Sequence, residues 1–258
     1  MIKRASVCKS SSLKNIWSKK LKLTAFNRQK LKSSLNQLII NAFNGRTGEV
    51  DLFSNTLDCF SAVVDSVILN ISVEEWLDLE RQRQTQKTLQ NIMGDIHQEA
   101  LGSSGEWESL GVGRVVDLVN HNKKIIAEIK NKHNTTKGNH KVNVYDDLAD
   151  LLPKFGGYTG YYVEILPPAR SKVYNSPFMP PDNRTKTKRP KNEQIRKIDG
   201  RSFYSLVTGQ TDALDQFYYA LPSLVVEILN EAKLINYSSD RMQIGETFAK
   251  EIFRKAYG

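Results

Sequence analysis

Cysteine is nearly absent. Of 258 residues only Cys8 and Cys59 carry a thiol, and neither stands in a metal-ligand spacing. That excludes a disulfide framework and a zinc-finger site, and it makes a reducing cytoplasm the default compartment. Long apolar runs are missing too. No stretch approaches the roughly 20 residues that span a bilayer, and the basic N-terminus lacks the uninterrupted apolar segment of a secretory signal. Acids are absent from the first 48 positions, Glu49 being the first. No internal repeat is visible.

Positive charge is what abounds. The chain has 37 Lys and Arg against 28 Asp and Glu, a formal net charge of +9 and an isoelectric point near 9.4. The basic residues concentrate in 1–32, 121–141 and 170–201. One such run is ordinarily a solvated face, but three of them around a candidate site point to a polyanionic partner.

Hydrophobic periodicity places helices over 13–43 and 50–70, the second with Leu57, Phe60, Val63, Val64, Val67 and Ile68 on its buried side. Ser72-Val73-Glu74-Glu75 resembles a capping box and opens a third helix that runs through Trp76 to Leu101. Past Gly102-Ser103-Ser104-Gly105 the pattern changes to strands at 114–119, 125–132 and 161–166, separated by a polar loop over 131–143 and a helix over 145–152. A mobile loop rich in Pro, Arg and Lys is expected at 167–190, then a strand or helix start at 202–207. Helices follow over 214–234, broken or kinked at Pro222, and over 245–255. Helices, a central sheet and further helices imply an α/β or α+β unit. The length fits one domain of residues 1–258, with an N-terminal helical region (1–90), a core (91–221) and C-terminal helices (222–258).

Two carboxylates stand where a strand should be apolar: Asp117 in Arg114-Val115-Val116-Asp117-Leu118-Val119, and Glu128 in Ile125-Ile126-Ala127-Glu128-Ile129-Lys130. Buried acids cost desolvation energy unless a cation or hydrogen bonds compensate. Strand alternation puts Val115, Asp117 and Val119 on one face and Ile126, Glu128 and Lys130 on one face. A tight turn through His121-Asn122-Lys123-Lys124 would pair the two strands antiparallel and gather the polar groups. Two carboxylates at one point need a positive charge between them, and hard oxygen ligands suit Mg²⁺ or Mn²⁺. The bland alternative is a solvated edge hairpin with a surface ion pair. Ala127 and Ile129, apolar on the opposite face, argue for a central strand.

These residues resemble the PD-(D/E)xK nuclease superfamily, Asp117 matching its first acid and Glu128-Ile129-Lys130 its second acid and lysine. A broader resemblance, over 94–221, is to the type II restriction endonucleases that cut the interrupted palindrome GGNCC. It is carried by Gly94-Asp95-Ile96-His97-Gln98, by Glu128-Ile129-Lys130-Asn131-Lys132-His133-Asn134-Thr135-Thr136-Lys137-Gly138, and by Asp199-Gly200-Arg201-Ser202-Phe203-Tyr204-Ser205-Leu206-Val207-Thr208-Gly209. The resemblance implies a central mixed sheet flanked by helices and Mg²⁺-dependent hydrolysis of double-stranded DNA, Mn²⁺ substituting, that leaves 5′-phosphates. It also implies a homodimer in a prokaryotic cytoplasm and a companion DNA methyltransferase. Asp117 and Glu128, with the Ile129 carbonyl, would hold the metal, and Lys130 would serve the attacking water. Gln98 stands where many superfamily members carry a glutamate; an amide orients water but cannot act as a base, and Asp95 and Glu99 on the same helix are the alternatives for a third anionic ligand. Asn131, Lys132, Asn134, Thr135, Thr136 and Lys137 would reach base edges or phosphates, and Arg184, Lys186, Lys188 and Arg189 phosphates. Two other readings stay open: a repair or junction nuclease of the same superfamily, and a nucleic-acid-binding protein whose acids and lysine form only an ion pair.

Overall fold

Two runs of branched and aromatic residues, 125–129 and 161–166, form the middle of the sheet, since strands covered on both faces carry near-continuous apolar sequence. The computed structural model describes residues 23–48, 51–54, 57–110, 116–134, 138–168, 173–236 and 252–257. Its strands are β1 (Glu108–Ser109), β2 (Leu118–Asn120), β3 (Ile125–Lys132), β4 (Thr159–Leu166), β5 (Asn175–Pro177), β6 (Pro181–Asp182), β7 (Thr187–Lys188) and β8 (Ile195–Asp199). Six of them form one mixed sheet in the order β1-β2-β3-β4-β8-β5, and β6 and β7 form a separate ribbon. β1, β2 and β3 run antiparallel, β3, β4 and β8 parallel, and β5 returns antiparallel on β8. The helices are α1 (Arg28–Thr47), α2 (Cys59–Leu69), α3 (Val73–Gly102), α4 (Gly138–Leu151), α5 (Gly200–Thr208) and α6 (Ala213–Glu231). α4 supplies the crossover that a parallel β3–β4 pair requires. A helical turn follows at 252–257.

Side-chain alternation divides the core in two. Ala127, Ile129, Tyr161, Val163 and Ile165 face α3, α1, α5 and α6, meeting Ile96, Leu101, Leu31, Leu35, Phe203 and Phe217. Ile126, Tyr162 and Ile195 face the other way, onto Val144, Tyr145 and Leu148 of α4 and onto Phe178. The chemistry-bearing positions Glu128 and Lys130 share this second face with Ile126.

Several expectations hold. Ser72 forms a capping box with Glu75, and α3 continues for thirty residues across its polar middle. The turn at 121–124 is pinned by Lys123 N–H donating to Asn120 Oδ1 at 2.7 Å, and β3 is a central strand. Others are corrected. The regular part of the first strand is only 118–120, and Arg114 and Val115 lie outside the described residues. The first helix begins at Arg28, capped by Asn27, and its expected residues 13–22 lie outside them too. α4 starts at Gly138, seven residues early, because the crossover demands a helix where Gly, Asn and His give no apolar signal.

The segment 167–190 is not an irregular loop in its described part. It holds β5 and the β6–β7 ribbon, fastened by Phe178, whose ring stacks on Tyr162 at 4.6 Å, and by Arg189. Residues 202–207 are helical, and α6 runs on through Pro222. α2 is the largest departure. No residue of it is buried, and Phe60, Val63, Val64, Val67 and Ile68 are each more than half exposed. The apolar stripe is real, but the described residues of one chain offer nothing to cover it.

The β8–α5 junction shows how tightly the sheet is built. Asp199 ends β8 and caps α5, accepting from Ser202 N–H at 3.1 Å, Ser202 Oγ at 2.6 Å and Tyr174 N–H at 2.8 Å. A Cβ on Gly200 would lie 2.4 Å from the Ile165 carbonyl oxygen on β4. Gly200→Ala must therefore push α5 off β4, and thermal melts are expected to show a loss of about 1–3 kcal/mol.

Candidate active site

The register of β2 on β3 sets Leu118 opposite Ala127 and so brings Asp117 opposite Glu128. Asp117 sits where the backbone turns. Its N–H donates to Ala127 O on β3 at 2.9 Å, while its C=O accepts from Leu110 N–H at 2.9 Å, toward β1. A regular strand residue sends both groups to one neighbour. The side chain completes the pairing with β3: Asp117 Oδ2 accepts from Ile129 N–H at 2.6 Å. On β3, Lys130 Nζ meets Glu128 Oε1 at 2.5 Å, with both side chains largely shielded from solvent.

The electrostatics of the pair are unbalanced. Burial pushes the Asp117 carboxyl up to about 7, and the neighbouring Glu128 charge adds to this; the Ile129 N–H and the Lys130 ammonium oppose it without cancelling it. A site of this kind attracts a cation. Among the described residues no group of three or more His, Cys, Asp or Glu side chains is placed to hold a metal. Ligands beyond Asp117 and Glu128 would be carbonyls, amides or water.

Gln98 lies half-buried on α3, which packs on β1 and β3. Asp95 and Glu99 flank it, and among the described residues none of these three side chains makes a hydrogen bond. Burial raises the Asp95 carboxyl. His97 on the same helix is architectural: it is buried, its Nδ1 pairs with Tyr204 OH at 2.8 Å, and burial drives it down to about 4, so it stays neutral.

Asn131 and Lys132 end β3, half-exposed, and Asn134 is exposed in the turn beyond, where His133 N–H donates to Leu166 O at 3.1 Å. Thr135, Thr136 and Lys137 lie outside the described residues. Arg184, Lys186 and Lys188 stand exposed on the β6–β7 ribbon. Arg189 differs from them. Its guanidinium grips Asp146 of α4 through two bonds, at 2.8 and 2.7 Å, and Asp182 at 3.1 Å, so its charge fastens the ribbon to α4.

One cluster escaped the sequence reading. Glu164 on β4 is fully buried and is held by Lys141, Lys197 and Tyr174. Its signal was available, since Glu164 is a carboxylate inside the run Tyr161-Tyr162-Val163-Glu164-Ile165-Leu166, the same anomaly that marked Asp117 and Glu128.

An acid at the start of one strand, an acid-x-lysine on its neighbour, and a mixed six-stranded sheet flanked by helices define the restriction-endonuclease-like class of fold. Comparison with known proteins agrees. A family model described as Eco47II restriction endonuclease matches residues 23–230. The type II restriction enzyme Eco47II of Escherichia coli is 43% identical over 182 residues, covering 69% of this chain and 75% of the relative. The type II restriction enzyme Sau96I of Staphylococcus aureus is 33% identical over 172 residues, 66% of each chain. No solved structure matches significantly. The chain belongs to the Eco47II restriction endonuclease family, whose members are site-specific deoxyribonucleases.

The raised Asp117 carboxyl has a consequence for stability. In the unfolded chain Asp117 ionises near 3.8, in the metal-free folded protein near 7, so folding favours the protonated form. Stability from this group is fully present below pH 4 and is lost as pH rises to about 7, on the order of 1 kcal/mol per unit. Asp117→Asn, neutral throughout, is expected to remove that slope and to exceed the wild type in stability above pH 7, as read by urea unfolding in EDTA at stepped pH.

Proposed function

We propose that this protein is a type II restriction endonuclease that hydrolyses double-stranded DNA within a short GGNCC-like palindrome and leaves 5′-phosphates. The observation that carries the reading is the convergence of Asp117, Glu128 and Lys130 across the β2–β3 ladder. The donor set fits Mg²⁺, with Mn²⁺ able to substitute: both side chains are hard carboxylates, and the unrelieved repulsion between them is what a divalent cation offsets. Asp117 and Glu128, with the Ile129 carbonyl, would hold the ion. When bound it supplies charge neutralisation at the phosphate and a more acidic water.

The chain's own groups do the positioning. Ile129 N–H fixes the orientation of the Asp117 carboxylate. Lys130 Nζ holds the attacking water and meets the negative charge that develops on the phosphate oxygens. Gln98 orients that water without taking its proton. The water oxygen bonds to phosphorus as its proton passes to solvent, the P–O3′ bond breaks, and O3′ takes a proton from solvent, giving a 5′-phosphate and a 3′-hydroxyl. Asn131 and Lys132 at the end of the catalytic strand, and Asn134, Thr135, Thr136 and Lys137 directly beyond it, read base edges and nearby phosphates. Arg184, Lys186 and Lys188 meet phosphates from the ribbon, and Arg189 supports them by anchoring it. The setting is a prokaryotic cytoplasm with a companion DNA methyltransferase.

Plasmid digestion tests this. With Mg²⁺ the protein is expected to give discrete fragments ending at one palindrome, and Asp117→Asn, Glu128→Ala and Lys130→Ala should each lose at least about 100-fold in rate. Cleavage at lesions or junctions instead would point to a repair nuclease. DNA shifted on a gel but uncut by wild type would leave a binding protein.

A homodimer follows from the two-fold symmetry of a palindrome. The exposed face of α2 supports it: Phe60, Val63, Val64, Val67 and Ile68 carry no charge, so the face complements its own copy. Val67→Glu is expected to convert a dimer to monomer in sedimentation and to make nicked circles accumulate during digestion. A wild type that sediments as a monomer with DNA bound would refute the arrangement.

A further inference from the structure

Glu164 is a carboxylate in the middle of the sheet that the proposed hydrolysis does not use. It is the register partner of Lys130 on the adjacent strand and has no exposed surface. Tyr174 OH donates to its Oε2 at 2.6 Å, Lys197 Nζ approaches the same oxygen at 2.9 Å, and Lys141 Nζ donates to Oε1 at 3.0 Å. Burial pushes this carboxyl up, yet the bonds from Tyr174, Lys197 and Lys141 outweigh it and leave the group below its ordinary value.

Glu164 holds more cation than it requires, and the neighbouring buried Asp199, its register partner on β8, takes its bonds from Ser202 and from Tyr174 N–H and is ion-paired with neither lysine. One buried carboxylate is neutralised by one ammonium, and here it has two besides a phenol. The surplus is not hidden, for the Lys141 and Lys197 side chains keep 23% and 27% of their exposure. Each ammonium has three donors, of which Glu164 takes one. Their positions are set further by ring contacts, Lys141 over Tyr162 at 5.7 Å and Lys197 over Tyr174 at 5.1 Å. Lys197 pairs with Tyr162, and Tyr162 with Glu128, so Lys197 projects from the face that carries Glu128 and Lys130. Two strand spacings, roughly 10 Å, separate it from Glu128.

We propose that Lys141 and Lys197, held in place by Glu164 and Tyr174, form a second anion subsite that grips a DNA backbone phosphate neighbouring the one cut. Glu164 is a positioning residue in this arrangement: it fixes two flexible lysines in advance, so that less side-chain freedom is lost on binding. The inference rests on the endonuclease reading and adds to it a contact that none of the loop or ribbon residues provides.

The test is the salt dependence of binding to a duplex carrying the palindrome, with Ca²⁺ replacing Mg²⁺ so that DNA is bound and not cut. Lys141→Gln, which leaves Lys197 and Tyr174 on Glu164, should lower the slope of log affinity against log salt by about 1. The triple variant Lys141→Met, Lys197→Met, Glu164→Gln, which leaves no buried charge unpaired and likewise removes one net positive charge, should also lower it by about 1. Both losses should appear equally on duplexes without the palindrome. A methylphosphonate at the gripped position should weaken wild-type binding and leave the triple variant unaffected. Folded variants with the wild-type slope would overturn the subsite while the endonuclease reading stands. A wild type that neither binds nor cuts the duplex would sink both.

Discussion

Burying negative charge inside a sheet is the constraint around which the rest of this molecule is arranged. Each acid taken out of water needs donors or a cation, and the chain meets the demand in two ways. Asp199 is satisfied by main-chain and hydroxyl donors from Ser202 and Tyr174. Glu164 is satisfied by Tyr174 and two lysines. Tyr174 therefore serves both acids, through its N–H and its hydroxyl, and ties the residues before β5 to the ends of β4 and β8. Asp117 and Glu128 are the exception. They have one N–H and one ammonium between them, and the Asp117 carboxyl is pushed up accordingly. A fold that can satisfy buried acids so completely elsewhere leaves this pair short, and the shortfall is what the proposed divalent ion would offset.

Most of the framework was legible in the sequence because it follows from local rules. The capping box at Ser72, the turn at 121–124 and the central strands 125–132 and 161–166 each declare themselves within a few residues. The acid pair was legible for the same reason: a carboxylate in an apolar run is a local anomaly. What escaped depends on distant contacts. β5, β6 and β7 are two or three residues long and contain Pro177 and Pro181, so no periodicity exists to read. They hold because Phe178 stacks on Tyr162 and Arg189 grips Asp146. The stripe on α2 is apolar as the periodicity predicts but exposed, since periodicity reports that a face is apolar and not what covers it. Glu164 was visible by the same logic as Glu128, but without a lysine two residues later it drew no attention.

The segments that carry the family resemblance divide by role. Glu128-Ile129-Lys130 brings the proposed chemistry. Asp199, Gly200 and Gly209 bring architecture: a cap, a close approach to β4, and a left-handed residue that ends α5. His97 belongs with them, held neutral against Tyr204 and Phe217. The match to residues 23–230 therefore spans the scaffold that sets strand register as well as the acids that the register brings together. A slip of one residue between β2 and β3 would turn Asp117 away from Glu128, so the scaffold is as necessary to the site as its ligands.

Net charge is a poor guide to where an anion would bind, and this molecule shows why. Arg189 lies in a strongly basic run, yet its guanidinium is committed to Asp146 and Asp182. Lys141 and Lys197 also lie in basic runs, Lys197 in the same one as Arg189, yet they share a single carboxylate and remain partly open to solvent. The quantity that matters is cation in excess of local acid at a fixed place. By that measure the face carrying Lys130, Lys141 and Lys197 is polarised: an acid pair in need of a cation lies beside a lysine pair in need of an anion. A phosphodiester backbone beside a bound divalent ion satisfies both needs at once, whereas a protein or metabolite anion would satisfy only the second.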